Sequence, residues 1–260
     1  MFRFINLFLG RFIEKSYLAI VLYKLMTRIL PVPIIHVRGV PIKVVIPFHQ
    51  IGVFRTAKLW ETRESKTLDW IDSFERDCLF FDIGASFGNE TLYAALKQNG
   101  PREIICFDLS LQASYNLAFN LSLNLISKVR QYYFAVADRA GFVDTSEHTN
   151  YLGVPGRPEF EMISYRTWGM ALVEFIERTG AKPDYIKIDV DGFEDRVITG
   201  MYQTLRSLQL KSLLIEVNAA ARTAVLQGLA DAGFVESSRV VLTADAENIV
   251  FRREAKHPIL

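Results

Sequence analysis

The sequence lacks the features that mark a nucleic-acid-binding, secreted or metal-binding protein. Its formal net charge is only +1 over 260 residues, so no strong field attracts a nucleic acid, and we expect no such partner. Its two cysteines match no metal-binding spacing and suit buried thiols in a reducing, cytoplasmic location. Repeats, low-complexity tracts and Gly/Ser-rich linkers are also missing. A chain of this length then allows one large α/β domain, or one domain with an extension.

The first 30 residues lack an apolar run long enough to span a bilayer, which needs about 20 residues. Residues 1–30 hold five basic side chains and one acidic one, which leaves a charge of five minus one, or +4. No small-residue cleavage site of a secretory signal follows their longest uncharged run. We expect an amphipathic helix that packs on the domain. The alternative is peripheral contact of residues 1–30 with an anionic membrane surface.

From Leu79 onward, strand-like and helix-like segments alternate, which predicts an α/β fold with a mostly parallel sheet covered on both faces. Strands are predicted at residues 79–83, 103–109, 129–136, 185–190 and 212–217, and helices at residues 90–98, 111–124, 171–179, 195–207 and 219–232. Residues 234–241 and 248–253 predict a C-terminal antiparallel hairpin at the sheet edge. This ending is typical of the methyltransferase variant of the Rossmann architecture.

The segments ahead of this sheet predict an N-terminal extension of helices and a hairpin. Residues 34–47 suggest two short strands around a Gly-Val-Pro turn, and residues 56–74 suggest one or two helices. We therefore assign residues 1–75 to the extension and residues 76–260 to the main domain. Because no linker separates the two, we expect the extension to dock on the main domain.

A strand, a glycine turn and a helix follow one another in residues 79–97. Asp82 ends the strand, where α/β sheets place their ligands, and the N–H groups of residues 84–89 are expected to point into the same crevice. Gly84 and Gly88 would leave room for a ligand near the backbone. The third glycine of a dinucleotide fingerprint is missing, and so is the Lys-Ser or Lys-Thr pair of a P-loop. The remaining match is the Asp-x-Gly-x-x-x-Gly loop of class I S-adenosylmethionine enzymes, although such turns also occur without a ligand.

Acidic residues follow the second and third predicted strands. Asp108 stands about 24 residues after Gly84, close to the offset of roughly 20 residues at which a carboxylate accepts both ribose hydroxyl protons. The alternative is an ordinary solvated acid at a strand end. Ala137 and Asp138 end the third strand, where a backbone N–H group and a carboxylate could reach an adenine edge. Asp138 could equally be a turn residue before Arg139.

Further charged residues cluster at the ends of the fourth and fifth strands. Lys187, Asp189 and Asp191 alternate along one side of the fourth strand, close to the expected ligand. For Lys187 we favour a structural pair with a carboxylate, and for the two aspartates a role at the methyl group and the acceptor. Glu216 and Asn218 end the fifth strand, where each could orient the acceptor or cap the following helix.

These motifs together resemble the FkbM family of S-adenosylmethionine-dependent methyltransferases, over residues 67–250. The block Lys-Ile-Asp-Val-Asp-Gly at residues 187–192 is the most specific element. The resemblance implies a Rossmann-like class I fold, S-adenosylmethionine as cofactor, and O-methylation, often of sugars in polysaccharides, lipopolysaccharides or secondary metabolites. The acceptor would be a glycan or a small molecule. The predicted cofactor-binding residues are Asp82, Gly84, Ala85, Ser86, Gly88, Asn89, Thr91, Asp108, Leu109, Ala137, Asp138 and Asp189.

Several positions depart from the family pattern. Ser86 stands where asparagine is usual, a small polar change that should still let the backbone bind. Asp108 replaces the usual glutamate and is one methylene shorter, and Leu109 follows it instead of proline. Residues 167–170, Thr-Trp-Gly-Met, stand where a Leu-Asp pair is usual. The last change affects the acceptor side more than the cofactor side.

The predicted catalytic residues are Asp189 and Asp191, supported by Glu216, because a positioned carboxylate can act as general base for a sugar hydroxyl. His148 is a further candidate, in a predicted polar loop near the cleft. The three carboxylates could instead hold Mg²⁺, and activity that survives EDTA would remove this alternative. Competing functions are an N- or C-methyltransferase of a small metabolite, a non-catalytic scaffold in a membrane-associated assembly, and a nicotinamide dehydrogenase.

Overall fold

The computed structural model describes residues 32–44, 59–148 and 162–254. Residues 34–260 form one compact unit and residues 1–33 another. The predicted amphipathic helix of residues 1–30 lies outside the described residues, and the domain boundary after residue 75 stays a prediction. Within the described ranges, no helix is long and apolar enough to cross a membrane.

The centre of the larger unit is a seven-stranded sheet with the order β11-β12-β10-β9-β3-β4-β5. Its strands are β3 (Leu79–Ile83), β4 (Glu103–Asp108), β5 (Val129–Tyr133), β9 (Tyr185–Ile188), β10 (Ser212–Asn218), β11 (Phe234–Val241) and β12 (Ala246–Arg253). The first five are parallel, whereas β12 lies antiparallel between β10 and β11. The mostly parallel sheet with a C-terminal hairpin is therefore confirmed.

Helices cover both faces of this sheet, which is why its central strands are mostly apolar. The helices are α1 (Ser65–Asp72), α2 (Asn89–Leu96), α3 (Leu111–Leu123), α4 (Leu172–Thr179), α5 (Glu194–Gly200), α6 (Tyr202–Leu205) and α7 (Arg222–Asp231). Phe80 and Phe81 are neighbours on β3, both fully buried, and belong to separate apolar clusters on opposite faces. The strand order reverses beside β3, and such a switch point is where α/β sheets bind ligands.

A small hairpin precedes the sheet, as the sequence predicts. Strand β1 (Ile34–Val37) pairs antiparallel with β2 (Val40–Lys43). Asn124, at the end of α3, donates to the carbonyl of Lys43 over 2.7 Å and accepts from its N–H group over 2.9 Å. These two hydrogen bonds attach the hairpin to the sheet-covering helix.

Two predicted elements are divided in the structure. The third strand, predicted over residues 129–136, ends at Tyr133, and β6 (Ala135–Ala137) pairs with a strand of another sheet. The helix predicted over residues 195–207 breaks at Met201 into α5 and α6. At this break Gly200 lies against β6, where an added Cβ atom would come within 1.9 Å of the Ala137 carbonyl oxygen. Both interruptions therefore coincide with contacts between segments that are distant in sequence.

A second, three-stranded sheet was missed by sequence reasoning. Strand β7 (Gly141–His148) pairs antiparallel with β8 (Met162–Ala171), and β6 pairs with β8. The predicted polar loop at His148 is wrong, because this residue ends a strand. Sequence alternation gave no signal here, since Phe142 and Trp168, on the open face, are exposed while Val143, on the other face, is only half-buried.

Candidate active site

A cleft of about 830 Å³ opens at the carboxyl ends of β3, β4 and β9. Its size lies within the range of about 300 to 1,000 Å³ that is usual for small-molecule sites. Seven of the residues predicted for binding or catalysis line it: Gly84, Ser86, Asp108, Leu109, Ala137, Asp189 and Asp191. The ends of β3, β4 and β9 thus meet at one site, as expected for an α/β sheet, and Ala137 joins them from outside this sheet.

The other predicted residues lie outside the cleft wall: Asp82, Ala85, Gly88, Asn89, Thr91, Asp138 and Glu216. Asp82 is fully buried, and its Oδ2 atom accepts a 2.6 Å hydrogen bond from the Thr91 hydroxyl. Burial raises the pKa of Asp82, although the charge of Lys187 opposes this shift. The structure thus places Asp82 and Thr91 beneath the loop, as its support, and gives them no place on the cleft wall.

The glycine loop uses most of its own N–H groups inside the protein, which corrects the expectation that they point into the crevice. Four of them have described acceptors: Gly84 and Ala85 donate to the Phe107 carbonyl, Ser86 to Asp108, and Gly88 to the Ala85 carbonyl. Close packing also requires both glycines, although Gly84 lines the cleft. A Cβ atom at Gly84 would lie 1.7 Å from the Asp189 carbonyl oxygen, and one at Gly88 would lie 2.2 Å from Leu117.

Ser86 has a strained backbone in the cleft wall. Its φ of 49° is in the left-handed region, which costs an ordinary residue about 1 to 2 kcal/mol and which asparagine tolerates better. The asparagine usual at this position in the family therefore has a conformational reason. The serine side chain is exposed, so a larger residue meets no packing obstacle.

We expect Ser86→Asn to raise the free energy of unfolding by about 0.5 to 1 kcal/mol, because asparagine relieves part of this strain. Urea denaturation followed by circular dichroism measures the change. Ser86→Ala is the matched control and should give no such gain. An equal stability for the serine and asparagine proteins would show that the loop does not store the strain.

Asp108 is fixed in the cleft by the loops on either side of it. Its Oδ2 atom accepts the Ser86 N–H group over 2.7 Å, and its Oδ1 atom accepts the Ser110 N–H group over 2.6 Å. A carboxylate has about four acceptor positions, so these bonds set its orientation as it faces the cleft. The side chain thereby ties the glycine loop to the start of α3.

Lys187 is the buried partner of Asp189. Its Nζ atom donates to Asp189 Oδ2 over 2.7 Å, and the lysine side chain is only 5% exposed. Burial alone would lower the pKa of Lys187, but the charges of Asp189, Glu90 and Asp82 raise it above its ordinary value. The ammonium group therefore stays charged and holds the Asp189 carboxylate, which agrees with the expected structural pair.

Asp191 occupies a strained turn that a second pair of residues holds in place. Its φ is 49°, and Gly192 follows with a φ of 103°. Glu194 accepts the Gly192 N–H group over 2.8 Å and the Asn218 amide over 3.0 Å. Sequence reasoning gave Glu194 no role, although an acid two residues after Asp-Gly is a signal for such a turn. Asn218 also accepts the Ala221 N–H group over 3.0 Å, so it caps the turn that begins α7.

The carboxylates of Asp189, Asp191 and Glu216 converge. One oxygen atom of each lies within 4.8 Å of the others. Burial and the charge of Asp189 raise the pKa of Glu216 to about 7, and the same causes raise the pKa of Asp191. Three hard oxygen donors could hold Mg²⁺, although one oxygen of Asp189 already accepts a hydrogen bond from Lys187.

The raised pKa values of Glu216 and Glu90 predict that stability falls with rising pH. Burial raises the pKa of each carboxyl group from 4.5 to about 7. At Glu90 the charges of Asp82 and Glu64 raise the pKa further, whereas the charge of Lys187 lowers it. Between these values the folded state binds more protons than the unfolded state. The free energy of unfolding should therefore decrease as the pH rises from about 4.5 to about 7.

Urea denaturation at a series of pH values tests this prediction. Glu90→Gln should flatten the decrease, because glutamine cannot titrate. Glu177→Gln is the control, since Glu177 is exposed on α4. An unchanged slope in Glu90→Gln would show that the buried carboxylate does not titrate in this window.

The cleft suits S-adenosylmethionine in size and charge. Five charged residues line it, of which four are acidic: Asp108, Asp144, Asp189, Asp191 and the basic Arg196. Acidic walls suit the positive sulfonium and amino groups of this cofactor. Asp108 lies on the cleft wall, where the sequence predicts a ribose contact, and the apolar side chains of Leu109, Phe134 and Val136 line the cleft as well.

One family model and several solved structures are similar to this chain. The model of the Methyltransferase FkbM domain family matches residues 82–236. The FkbM methyltransferase of Methylobacillus flagellatus KT is 13% identical with a TM-score of 0.49, over 80% of this chain and 56% of that one. The precorrin-6y C5,15-methyltransferase of Geobacter metallireducens GS-15 is 14% identical with a TM-score of 0.48, over 75% of this chain and 88% of that one.

A third similar structure is the fibrillarin of Aeropyrum pernix in complex with S-adenosyl-L-methionine. It is 12% identical with a TM-score of 0.44, over 68% of this chain and 67% of that one. No curated protein matches the sequence. Since the family model matches more than half of the chain and spans the glycine loop, Asp108 and the turn at residues 189–192, the protein belongs to the FkbM family and is an S-adenosylmethionine-dependent methyltransferase.

Proposed function

We propose that this enzyme methylates a hydroxyl group of a sugar in a polysaccharide, a lipopolysaccharide or a glycosylated metabolite. The observation that carries the proposal is the pair of Asp189 and Asp191 carboxylates on the cleft wall, with Glu216 beside them. A sugar hydroxyl is a weak nucleophile until it loses its proton, and a positioned carboxylate can accept that proton. Amine acceptors need no such base once they are neutral, so this cluster favours an oxygen acceptor.

The residues of the chain divide the work between positioning and proton transfer. Bound S-adenosylmethionine supplies the electrophilic methyl group. Asp108 orients the ribose, while Lys187 fixes the Asp189 carboxylate and Glu194 holds the turn that carries Asp191. Positioning of the acceptor can contribute about 7 to 11 kcal/mol. Asp191, exposed in the cleft and not bonded to Lys187, is our first candidate for the proton acceptor, with Glu216 as the second.

The first experiment is calorimetric titration of the purified protein with S-adenosylhomocysteine, with NAD as the control. We expect micromolar binding of the first compound and none of the second. A screen of sugar acceptors, read by mass spectrometry with and without EDTA, then tests the transfer. Methylation of an amine or a carbon atom in place of a sugar hydroxyl would overturn the proposal, and cofactor binding without any transfer would favour the scaffold function.

We also propose that the protein works in a reducing, cytoplasmic compartment. Cys78 and Cys106 are both free and buried, as expected for thiols in such a compartment. Peripheral contact with an anionic membrane through residues 1–30 remains an expectation from the sequence, since these residues lie outside the described ranges.

A further inference from the structure

Arg196, near the start of α5, is a cation in an acidic cleft. Among the described residues that line the cleft, it is the only basic one, beside four aspartates. Its side chain is 45% exposed, and its ion pair with Asp138 spans 3.6 Å, which is too long for a hydrogen bond. A guanidinium group has five N–H donors. Within the described part of the chain, most N–H groups of Arg196 therefore have no protein acceptor and are available to solvent or a ligand.

Phe193 lies next to this cation, directly after the turn that carries Asp191. Its side chain is 45% exposed and lines the cleft, and its ring centre is 5.9 Å from the Arg196 guanidinium carbon. An exposed aromatic ring on a cleft wall is available to a ligand. Its electron-rich face suits the C–H groups on one face of a sugar ring. The ring and the guanidinium group together form one surface, adjacent to the candidate proton acceptor.

The charge pattern indicates which acceptor this surface suits. Asp144 pairs with Arg166 and Asp189 pairs with Lys187, so these two aspartates repel an anion less than Asp191 does. An anionic acceptor would therefore bind most favourably beside Arg196, the basic residue of the cleft wall. A neutral sugar could accept hydrogen bonds from such a cation, but it would gain no charge pairing. Arginine binds phosphate and carboxylate groups through paired N–H donors, which makes it the specific residue for either anion.

We propose that Phe193 and Arg196 form the acceptor subsite, and that the acceptor is an anionic sugar whose phosphate or carboxylate group binds Arg196. The ring of Phe193 holds the sugar face, and Arg196 holds the anionic group, so that a hydroxyl group faces Asp191. This inference rests on the proposed sugar methylation and narrows its substrate class.

The test uses the full chain saturated with S-adenosylhomocysteine and titrated with glucose 1-phosphate, glucuronate, glucose and inorganic phosphate. We expect at least one anionic sugar to bind about tenfold more tightly than glucose, as one charge-assisted contact predicts. The phosphate and carboxylate probes separate the two anion types. Arg196→Gln should abolish this preference, and Arg196→Lys should keep part of it. Phe193→Ala should weaken the binding of glucose and of the anionic sugars by the same factor.

Arg178→Gln is the matched control, because Arg178 is an exposed arginine on α4 that pairs with Glu174. It should leave all affinities unchanged. Equal binding of glucose and the anionic sugars by the wild-type protein, or no sugar binding at all, would overturn the proposal. So would a tenfold or greater loss of S-adenosylhomocysteine affinity in Arg196→Gln. Arg196 would then serve the cofactor through Asp138. Failure of the wild-type protein to bind S-adenosylhomocysteine would instead contradict the cofactor assignment.

Discussion

Asp191→Asn is expected to lower the rate of methyl transfer by about 10²- to 10⁴-fold, the usual contribution of a general base. Affinity for S-adenosylhomocysteine should stay within about threefold, because the ribose contacts of Asp108 are not altered. Asparagine is the appropriate replacement, since it tolerates the φ of 49° at this position. Alanine would remove the carboxylate and also add backbone strain, so the measured rate could not be assigned to either change alone.

The measurement is the initial rate with the acceptor found in the sugar screen, beside calorimetric titration of each variant. Asp195→Asn is the control, because Asp195 is an exposed aspartate on α5 that does not line the cleft. Asp189→Asn and Glu216→Gln complete the series. Retention of the rate in Asp191→Asn together with its loss in Glu216→Gln would transfer the proton-acceptor role to Glu216. The pKa of about 7 at Glu216 would suit that role.

Asp108→Ala is expected to weaken binding of S-adenosylhomocysteine by about 100-fold or more. Each hydrogen bond to a charged group contributes about 1.5 to 3 kcal/mol, and two ribose hydroxyls would lose theirs. Two bonds at the lower figure give a loss of about 3 kcal/mol, which corresponds to a dissociation constant about 100 times larger. The substitution also leaves the Ser86 and Ser110 N–H groups without their carboxylate acceptor, which loosens the loop.

Calorimetric titration measures this loss, and two milder variants separate its causes. Asp108→Asn keeps one acceptor oxygen and should give an intermediate affinity. Asp108→Glu introduces the residue usual in the family and should retain micromolar binding. An affinity for Asp108→Ala within fivefold of the wild type would show that the ribose is held elsewhere and that Asp108 serves the loop alone.

The succession of the main strands along the chain could be predicted because periodicity is a local property of the chain. Buried runs such as residues 79–81 and 213–215 contain no polar residue, since helices cover both faces of the sheet. Strand ends then place Asp108, Asp189 and Asp191 at one edge, which follows from parallel topology without any detailed contact.

The divided strand after Tyr133 and the ribbon of β7 and β8 could not be predicted in this way. Both faces of the ribbon are partly open, so no alternation of apolar and polar residues marks it. Its attachment depends on Tyr165, whose hydroxyl donates to the Leu109 carbonyl over 3.1 Å, a contact between residues 56 positions apart. A pattern within a short window contains no information on such a pair.

The sequence by itself determined the fold class, the family and the carboxylates that gather at the strand ends, because these depend on residue type, spacing and periodicity. Only the tertiary structure decided which of the predicted residues face the cleft. In the structure Asp82 and Thr91 are buried and hydrogen-bonded to each other, and Gly84 packs closely against the Asp189 carbonyl group. The tertiary structure also brought Phe193 and Arg196 to the cleft wall. The direction of a side chain depends on neighbours that are distant in sequence, and those neighbours meet only when the chain folds.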